Sequence, residues 1–357
     1  MGSPSKHTAP INLSDVARHA GVSRATASLV LRESPLVASA TRERVHQAVD
    51  ALGYIYNRGA ANLRARRTKT IGLLVSNVSN PFFTEMTIGV DATLDKAGYV
   101  AFLANTAESL DRQERFLKRM REQNVDGVVL CAVAGTPKSV LRQLGDWKMP
   151  CVQTLRSISS DEGDYVGSDY QLGLEQVTEH LIRLGHKRIA LVGSDQRHSA
   201  MFERRAGFIC AMQRHRLSED LILSTPPTRQ AGLDVTGILL DRPDPPTAAV
   251  CYNDTVAFGL MVGLQRRGLQ PGRDFAVTGV DDVPEAAISF PSLTTVATLP
   301  RRLGEAAAEL LLQRIENPDG AHERIVLPTR LLVRESSGGY LHVEKKTKRN
   351  PVALESD

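Results

Sequence analysis

The stretch from Ile11 to Lys69 constrains this chain more than any other. Within INLSDVARHAGVSRATASLVL, two short helical patterns meet at a glycine. Val16, Ala17 and Ala20 give the first an apolar face at i, i+1 and i+4 spacing. Gly21 supplies the conformational freedom that a sharp turn needs. Ser23 is placed to cap the second pattern, SRATASLVL, whose small residues Ala25, Ala27 and Ser28 allow close approach to a groove wall. A third pattern, ATRERVHQAVDALGY, repeats Val45, Val49 and Leu52 at helical spacing, with Ser39 as predicted N-cap and Gly53 as predicted end. Helix, tight turn and helix is the arrangement that lays its second helix in the DNA major groove.

Charge supports a polyanion partner at this end of the chain. Residues 1–69 hold eleven Lys and Arg against four Asp and Glu, a net +7, whereas the remainder holds 33 against 36. A basic module joined to a neutral body is the electrostatic footprint of nucleic-acid binding. Arg42 and Arg44 are either phosphate contacts or solvated charges. The 357 residues exceed one ordinary core and predict two or three domains. No run of about 18 apolar residues predicts a membrane span, and the polar start MGSPSKHTAP has no apolar signal region. Cys131, Cys151, Cys210 and Cys251 lie far apart in apolar runs without metal-type spacing, so buried, reduced thiols in a cytoplasmic protein are expected.

The segment LSDVARHAGVSRATAS resembles the headpiece of the lactose repressor family of bacterial transcription factors. It follows the family signature D-V-A-x-x-A-G-V-S-x-x-T-V-S except at Ala27, where Val is usual. The resemblance extends to about Ser337. Three stretches, HLIRLGHKRIALVG, FLKRMREQNVDGVVL and AAVCYNDTVAFG, resemble the maltose-regulon repressor branch more narrowly. The likeness implies a disordered tail over 1–10, an all-α helix-turn-helix headpiece over 11–56 and a hinge segment over 57–69. It implies DNA contacts from Ser23, Arg24, Ala25, Thr26, Ser28 and Leu29, and from Asn57, Leu63 and Arg64 in the hinge. Arg24 can meet a guanine edge bidentately, Ala25 and Leu29 offer apolar contact, and Thr26 and Ser28 suit phosphates. Leu29 is alternatively part of the headpiece core. Leu63 is the one large apolar side chain in NRGAANLRARR, and in the family a leucine there wedges between bases from the minor groove. Tyr56 and Ala61 stand where the family often has Pro and Arg, which raises the cost of folding the hinge.

From Thr70 apolar strand runs alternate with helical patterns: TIGLLVSNV, VAFLANT, GVVLCAV and PCVQTL, then RIALVGS, LILST, TAAVCYN and FAVTGVD. Two α/β halves in tandem, each a doubly wound parallel sheet, follow from that order. TTVATL, the helix LGEAAAELLLQRI and IVLPTRLLVRES complete both. This resembles the two-lobed periplasmic sugar-binding fold that the lactose repressor family shares. The expected core spans 70–340, with one lobe at about 70–168 and 298–326 and the other at about 169–297 and 327–340. Chain crossings are expected near Ser168, Thr298 and Leu327, and a polar tail at 341–357, without the leucine heptads of a terminal coiled coil.

A ligand is expected between the lobes, at the carboxyl ends of the strands. Asn77, Phe82, Arg156, Arg204, Asn253 and Asp281 follow strand ends and are the candidate effector contacts. Arg, Asn and Asp beside an aromatic wall suit a polyhydroxyl ligand. Asn253 and Asp281 are alternatively helix caps, and Phe82 a core residue. Leu155 stands where many members have Asp, which removes one polar anchor. No phosphate loop, dinucleotide fingerprint, zincin or nucleophile-elbow motif occurs, and Asp281 and Asp282, adjacent on a strand end, point apart. No enzyme, cofactor or metal is therefore expected. The expected function is a ligand-responsive repressor, binding a palindromic DNA operator as a cytoplasmic, nucleoid-associated homodimer with a carbohydrate effector. Two other readings stand beside it: a constitutive DNA-binding protein with a non-binding core, and a solute-binding protein.

Overall fold

The computed structural model describes residues 11–32, 34–55 and 67–338. The chain divides into two compact units, Met1–Thr68 and Lys69–Asp357. In the first, α1 (Leu13–His19), α2 (Arg24–Leu31) and α3 (Ser39–Leu52) close around Val16, Ala17, Ala20, Ala27, Val30, Val45 and Ala48. Asn12 and Asp15 form a reciprocal capping box that starts α1. Gly21 turns the chain at φ +64°, and Ser23 Oγ caps α2 by accepting from Thr26 N at 3.0 Å. Gly53 ends α3 in the left-handed conformation. The expected cap at Ser39 is corrected: Ala38 is the N-cap, makes no side-chain bond, and Ser39 is already helical. Arg42 has a structural role. Its Nη2 donates to the Ser34 and Val37 carbonyls, both at 3.2 Å, and pins the loop before α3.

The second unit runs β1 (Thr70–Val75), α4 (Pro81–Lys96), β2 (Val100–Asn105), α5 (Leu110–Glu122), β3 (Gly127–Leu130), α6 (Ser139–Asp146), β4 (Cys151–Thr154) and β5 (Asp164–Ser168). It continues α7 (Tyr170–Arg183), β6 (Ile189–Ser194), α8 (Ser199–Arg214), β7 (Ile222–Thr225), α9 (Arg229–Leu240), β8 (Ala248–Cys251), α10 (Asp254–Arg266) and β9 (Ala276–Asp281). It closes with α11 (Glu285–Ile288), β10 (Thr294–Ala297), α12 (Pro300–Glu316), β11 (Arg324–Leu327), β12 (Arg330–Leu332) and a 3₁₀ turn, Glu335–Ser337. The strands form two six-stranded sheets, β11-β5-β4-β3-β1-β2 and β12-β10-β9-β8-β6-β7. Every pairing is parallel except β10 with β12, so the second sheet ends on an antiparallel edge.

Strand geometry sends alternate side chains to opposite faces. Ile71, Leu73 and Val75 enter one core with Met86 of α4 and Leu303 of α12, while Leu74 joins Leu117, Val128 and Leu144 on the other face. The second sheet repeats this, with Ile189 and Leu191 toward Leu174 and Phe208, and Ala190 and Val192 toward Leu239 and Leu260. Helices α4 and α12 cross at Gly89 and Gly304, where a Cβ would stand 2.1 Å from the Arg301 and Met86 carbonyl oxygens.

β5 is absent from the sequence expectations because Asp164 and Gly167 interrupt its apolar pattern. Asp164 is buried there because Arg314 clamps it, Nε to Oδ2 at 2.8 Å and Nη2 to Oδ1 at 3.0 Å. β2 is an edge strand that exposes Val100, Phe102 and Leu103, so its apolar run is not covered on both faces.

The chain passes from one sheet to the other between β5 and α7, between β10 and α12, and between β11 and β12. These passages are tied together: Ser168 Oγ donates to the Thr298 carbonyl at 3.1 Å, Asp169 N to Leu327 O at 3.0 Å, and Thr329 Oγ1 to Asp169 O at 3.0 Å. The three passages thus run side by side between the two lobes.

Candidate functional site

In the N-terminal unit the start of α2 is exposed. Ser23, Arg24 and Ala25 face solvent, Thr26, Ser28 and Leu29 are half-buried, and Ala27 and Val30 turn into the core. Leu29 does not belong to the apolar cluster of this unit. Ser23 Oγ lies 2.9 Å from Thr26 Oγ1, so both hydroxyls are engaged in the cap, which ties them to helix geometry before any phosphate contact. Asn57, Leu63 and Arg64, with Tyr56 and Ala61, lie outside the described residues, as do the two tails.

In the second unit a cavity of about 370 Å³ opens between the two sheets, at the carboxyl ends of their strands. All six candidate contacts, Asn77, Phe82, Arg156, Arg204, Asn253 and Asp281, line it. Several do other work as well. Phe82 is core, meeting Phe83 edge to face at 5.4 Å between ring centres. Asn253 Oδ1 caps α10 by accepting from Val256 N at 3.0 Å, which leaves its amide NH₂ for the cavity. Asn77 Oδ1 accepts from Ser79 N at 3.0 Å. Leu155 also lines the cavity, holding an apolar surface at the position where polarity was missed.

The centre of the cavity is Arg204. It is buried between two rings, with its guanidinium 3.8 Å from the Tyr170 ring centre and 4.3 Å from that of Tyr252. Its Nη2 stands 3.5 Å from Asp281 Oδ1, an ion-pair distance long for a hydrogen bond. Arg204 Nε and Asp281 Oδ1 are both buried without a hydrogen-bond partner among the described residues. Buried groups of this kind are normally paired, and both atoms are closed to solvent, so this imperfect pairing sits behind the cavity lining. Burial pushes the Asp281 carboxyl up to about 7, against the lowering pull of Arg204 and of a hydrogen bond from Asn80 across the cleft.

Residues outside the set expected from the sequence complete the wall. Tyr170, Tyr252, Glu108, Asn80 and Gln196 line it too. His198 caps α8 through Nδ1, which accepts from Met201 N at 3.2 Å. Burial, with Arg156 and Arg204 nearby, lowers its pKa to about 2, so the ring is neutral. With Nδ1 accepting, the proton sits on Nε2 and is donated to Tyr252 Oη at 3.2 Å. The arrangement is an aromatic-walled, hydrogen-bonding cleft with no nucleophile–base pair. Among the described residues there is no group of metal ligands, and no helix is long and apolar enough to cross a membrane.

Two family models match. Residues 12–57 match that of the bacterial regulatory proteins, lacI family, and residues 68–335 that of the periplasmic binding proteins and sugar binding domain of the LacI family. The chain is 33% identical over 330 residues to the HTH-type transcriptional repressor PurR of Vibrio atlanticus, covering 88% of this chain and 94% of that one. It is 32% identical over 338 residues to the maltose regulon regulatory protein MalI of Escherichia coli, covering 90% and 97%. Among solved structures it is similar to a transcriptional regulator CelR–cellobiose complex, with 33% identity, TM-score 0.69, and 91% and 99% of the two chains covered. It is also similar to the lac repressor dimer bound to operator and the anti-inducer ONPF, with 25% identity, TM-score 0.83, and 92% and 99% covered.

Proposed function

The chain belongs to the LacI family of bacterial regulatory proteins, a family of DNA-binding regulators and not of enzymes, and from that premise we propose how this member works. It binds a roughly palindromic operator as a homodimer, one headpiece per half-site, in the cytoplasm. Arg24, Ala25 and Leu29 read base edges, Ser23, Thr26 and Ser28 hold phosphates, and Asn57, Leu63 and Arg64 belong to a hinge that inserts Leu63 into the minor groove. Solvent-exposed Phe102 and Leu103 on the β2 edge, with Ile288 at the end of α11 and Phe290 just past it, offer apolar surface for the partner copy.

A carbohydrate effector sits against Asn77, Phe82, Arg156, Arg204, Asn253 and Asp281. The observation that carries this reading is the convergence of all six side chains on one cavity between the two sheets, walled by Tyr170 and Tyr252 with Arg204 held between them. The CelR–cellobiose likeness supports the sugar class, and the MalI relative is consistent with the maltose-regulon branch, although the PurR relatives are equally similar. Effector binding alters lobe closure and thereby biases the hinge, which requires different affinities in the two states.

Thermal unfolding against sugars, sugar phosphates and nucleobases tests the core. A ligand at about 100 times its Kd stabilises by roughly 2.7 kcal/mol. A hit that Arg204→Ala abolishes supports the cleft, and no hit across the panel favours a constitutive DNA binder. Removing residues 1–69 should abolish sequence-specific DNA binding, and retained binding would refute the headpiece assignment. Leu63→Ala should weaken operator binding while leaving the core folded.

A further inference from the structure

Arg156 is the second guanidinium in the cleft, and its fork is already occupied. Nη1 donates to Glu108 Oε2 at 2.8 Å and Nη2 to Glu108 Oε1 at 2.7 Å, the two-pronged geometry by which arginine otherwise grips a phosphate or a ligand carboxylate. Nη1 also donates to the Ala132 carbonyl at 3.1 Å and Nη2 to Gln196 Oε1 at 3.4 Å. The pair is well buried, with side chains 9% and 21% exposed. Glu108 comes from the turn after β2, and both it and Ala107 adopt positive φ, +56° and +47°. Non-glycine residues pay for that conformation and keep it only where the surroundings hold them there. The other cation, Arg204, has aromatic rings on both faces and Asp281 at its end, and His198 adds no charge. The lining therefore holds two guanidinium groups and two carboxylates, matched one to one.

We propose that Glu108 sets the charge specificity of the cleft: it occupies the anion-gripping fork of Arg156, so that the cleft takes a neutral polyhydroxyl ligand and rejects phosphorylated or carboxylated forms. The inference rests on the cleft being the effector site. An incoming anion must either evict Glu108 from a bidentate buried pair or lie beside its carboxylate, and both are unfavourable. Neutral hydroxyls face no such barrier, because a hydroxyl brings no charge against the Glu108 carboxylate and can both donate and accept hydrogen bonds along the lining.

The test uses the full chain at pH 8 and constant ionic strength, with inorganic phosphate as the probe and thermal unfolding as the readout. Glu108→Gln keeps the shape and frees the Arg156 fork. It should bind phosphate at least about tenfold more tightly than wild type, and Glu108→Gln with Arg156→Gln should lose that gain. No gain in the single variant, or a gain that survives in the double variant, overturns the proposal. A second measurement needs no variant: wild type raised in melting temperature as much by glucose 6-phosphate as by glucose also overturns it. A neutral-sugar panel without a hit counts against the effector reading, while the phosphate comparison, which needs no sugar, still decides the role of Glu108.

Discussion

Arg204→Met would expose the electrostatics of the cleft most directly. Methionine fills much of the space between Tyr170 and Tyr252 but removes the charge beside Asp281. At 3.5 Å and an effective dielectric of about 20, that ion pair is worth about 5 kcal/mol before desolvation. The two ring faces contribute about 1–2 kcal/mol each. The sign of the pH dependence follows from Asp281, whose folded pKa near 7 lies above an unfolded value near 4. A raised carboxyl stabilises fully below about pH 4, and that contribution is lost as pH rises to about 7, where the wild-type curve levels off. Without Arg204 the folded pKa climbs further, so the variant keeps losing stability above pH 7, by about 1.4 kcal/mol per pH unit. The penalty of Arg204→Met should therefore grow by about 3 kcal/mol between pH 7 and pH 9. Urea unfolding followed by circular dichroism across that range measures it, and adding Asp281→Asn should abolish the slope. Wild type and variant losing stability in parallel above pH 7, or a slope that persists in the double variant, would refute the coupling.

Three further substitutions test the fold that holds the cleft. Gly207→Ala places a Cβ about 2.1 Å from the Gln171 carbonyl oxygen, where α7 meets α8. Overpacking of about 1–3 kcal/mol should outweigh the roughly 1 kcal/mol that alanine gains in helix propensity, lowering Tm. Gly145→Ala in α6 meets nothing within 4 Å, so the same exchange should raise Tm. Asp164→Ala removes the partner of buried Arg314 and the acceptor of Glu323 N at 2.8 Å, and should cost about 3–5 kcal/mol in denaturant unfolding.

The parts of this protein readable before folding are those with short-range causes. The turn at Gly21, the Ser23 cap and the left-handed end at Gly53 depend on residues within a few positions of one another. The alternation of apolar strands and amphipathic helices needs only a period of two against one near four. Failures occur where a distant partner decides. The strand at Asp164 is invisible because a buried carboxylate reads as a loop until Arg314, 150 residues later, reaches it. Arg42 reads as either a phosphate contact or a solvated charge, and the loop carbonyls it grips come into view only in the folded chain.

The candidate site divides in the same way. Arg204, Asn253 and Asp281 stand out because they follow apolar strand ends, and parallel sheets present those ends to a common cleft. Glu108, Tyr170 and His198 belong to no motif, Tyr252 lies in the AAVCYND run without marking itself as a lining residue, and Glu108 sits in a turn where an acidic residue is unremarkable. The strand order of the first sheet, which sets the end of β2 within reach of the end of β4, carries that carboxylate to Arg156, 48 residues away, and the packing of the second lobe seats Arg204 between two rings from separate segments. The local pattern thus determines which elements form and what chemistry each can bring. The charge balance of the cleft is a long-range property, because it depends on which buried groups the tertiary packing leaves facing one another.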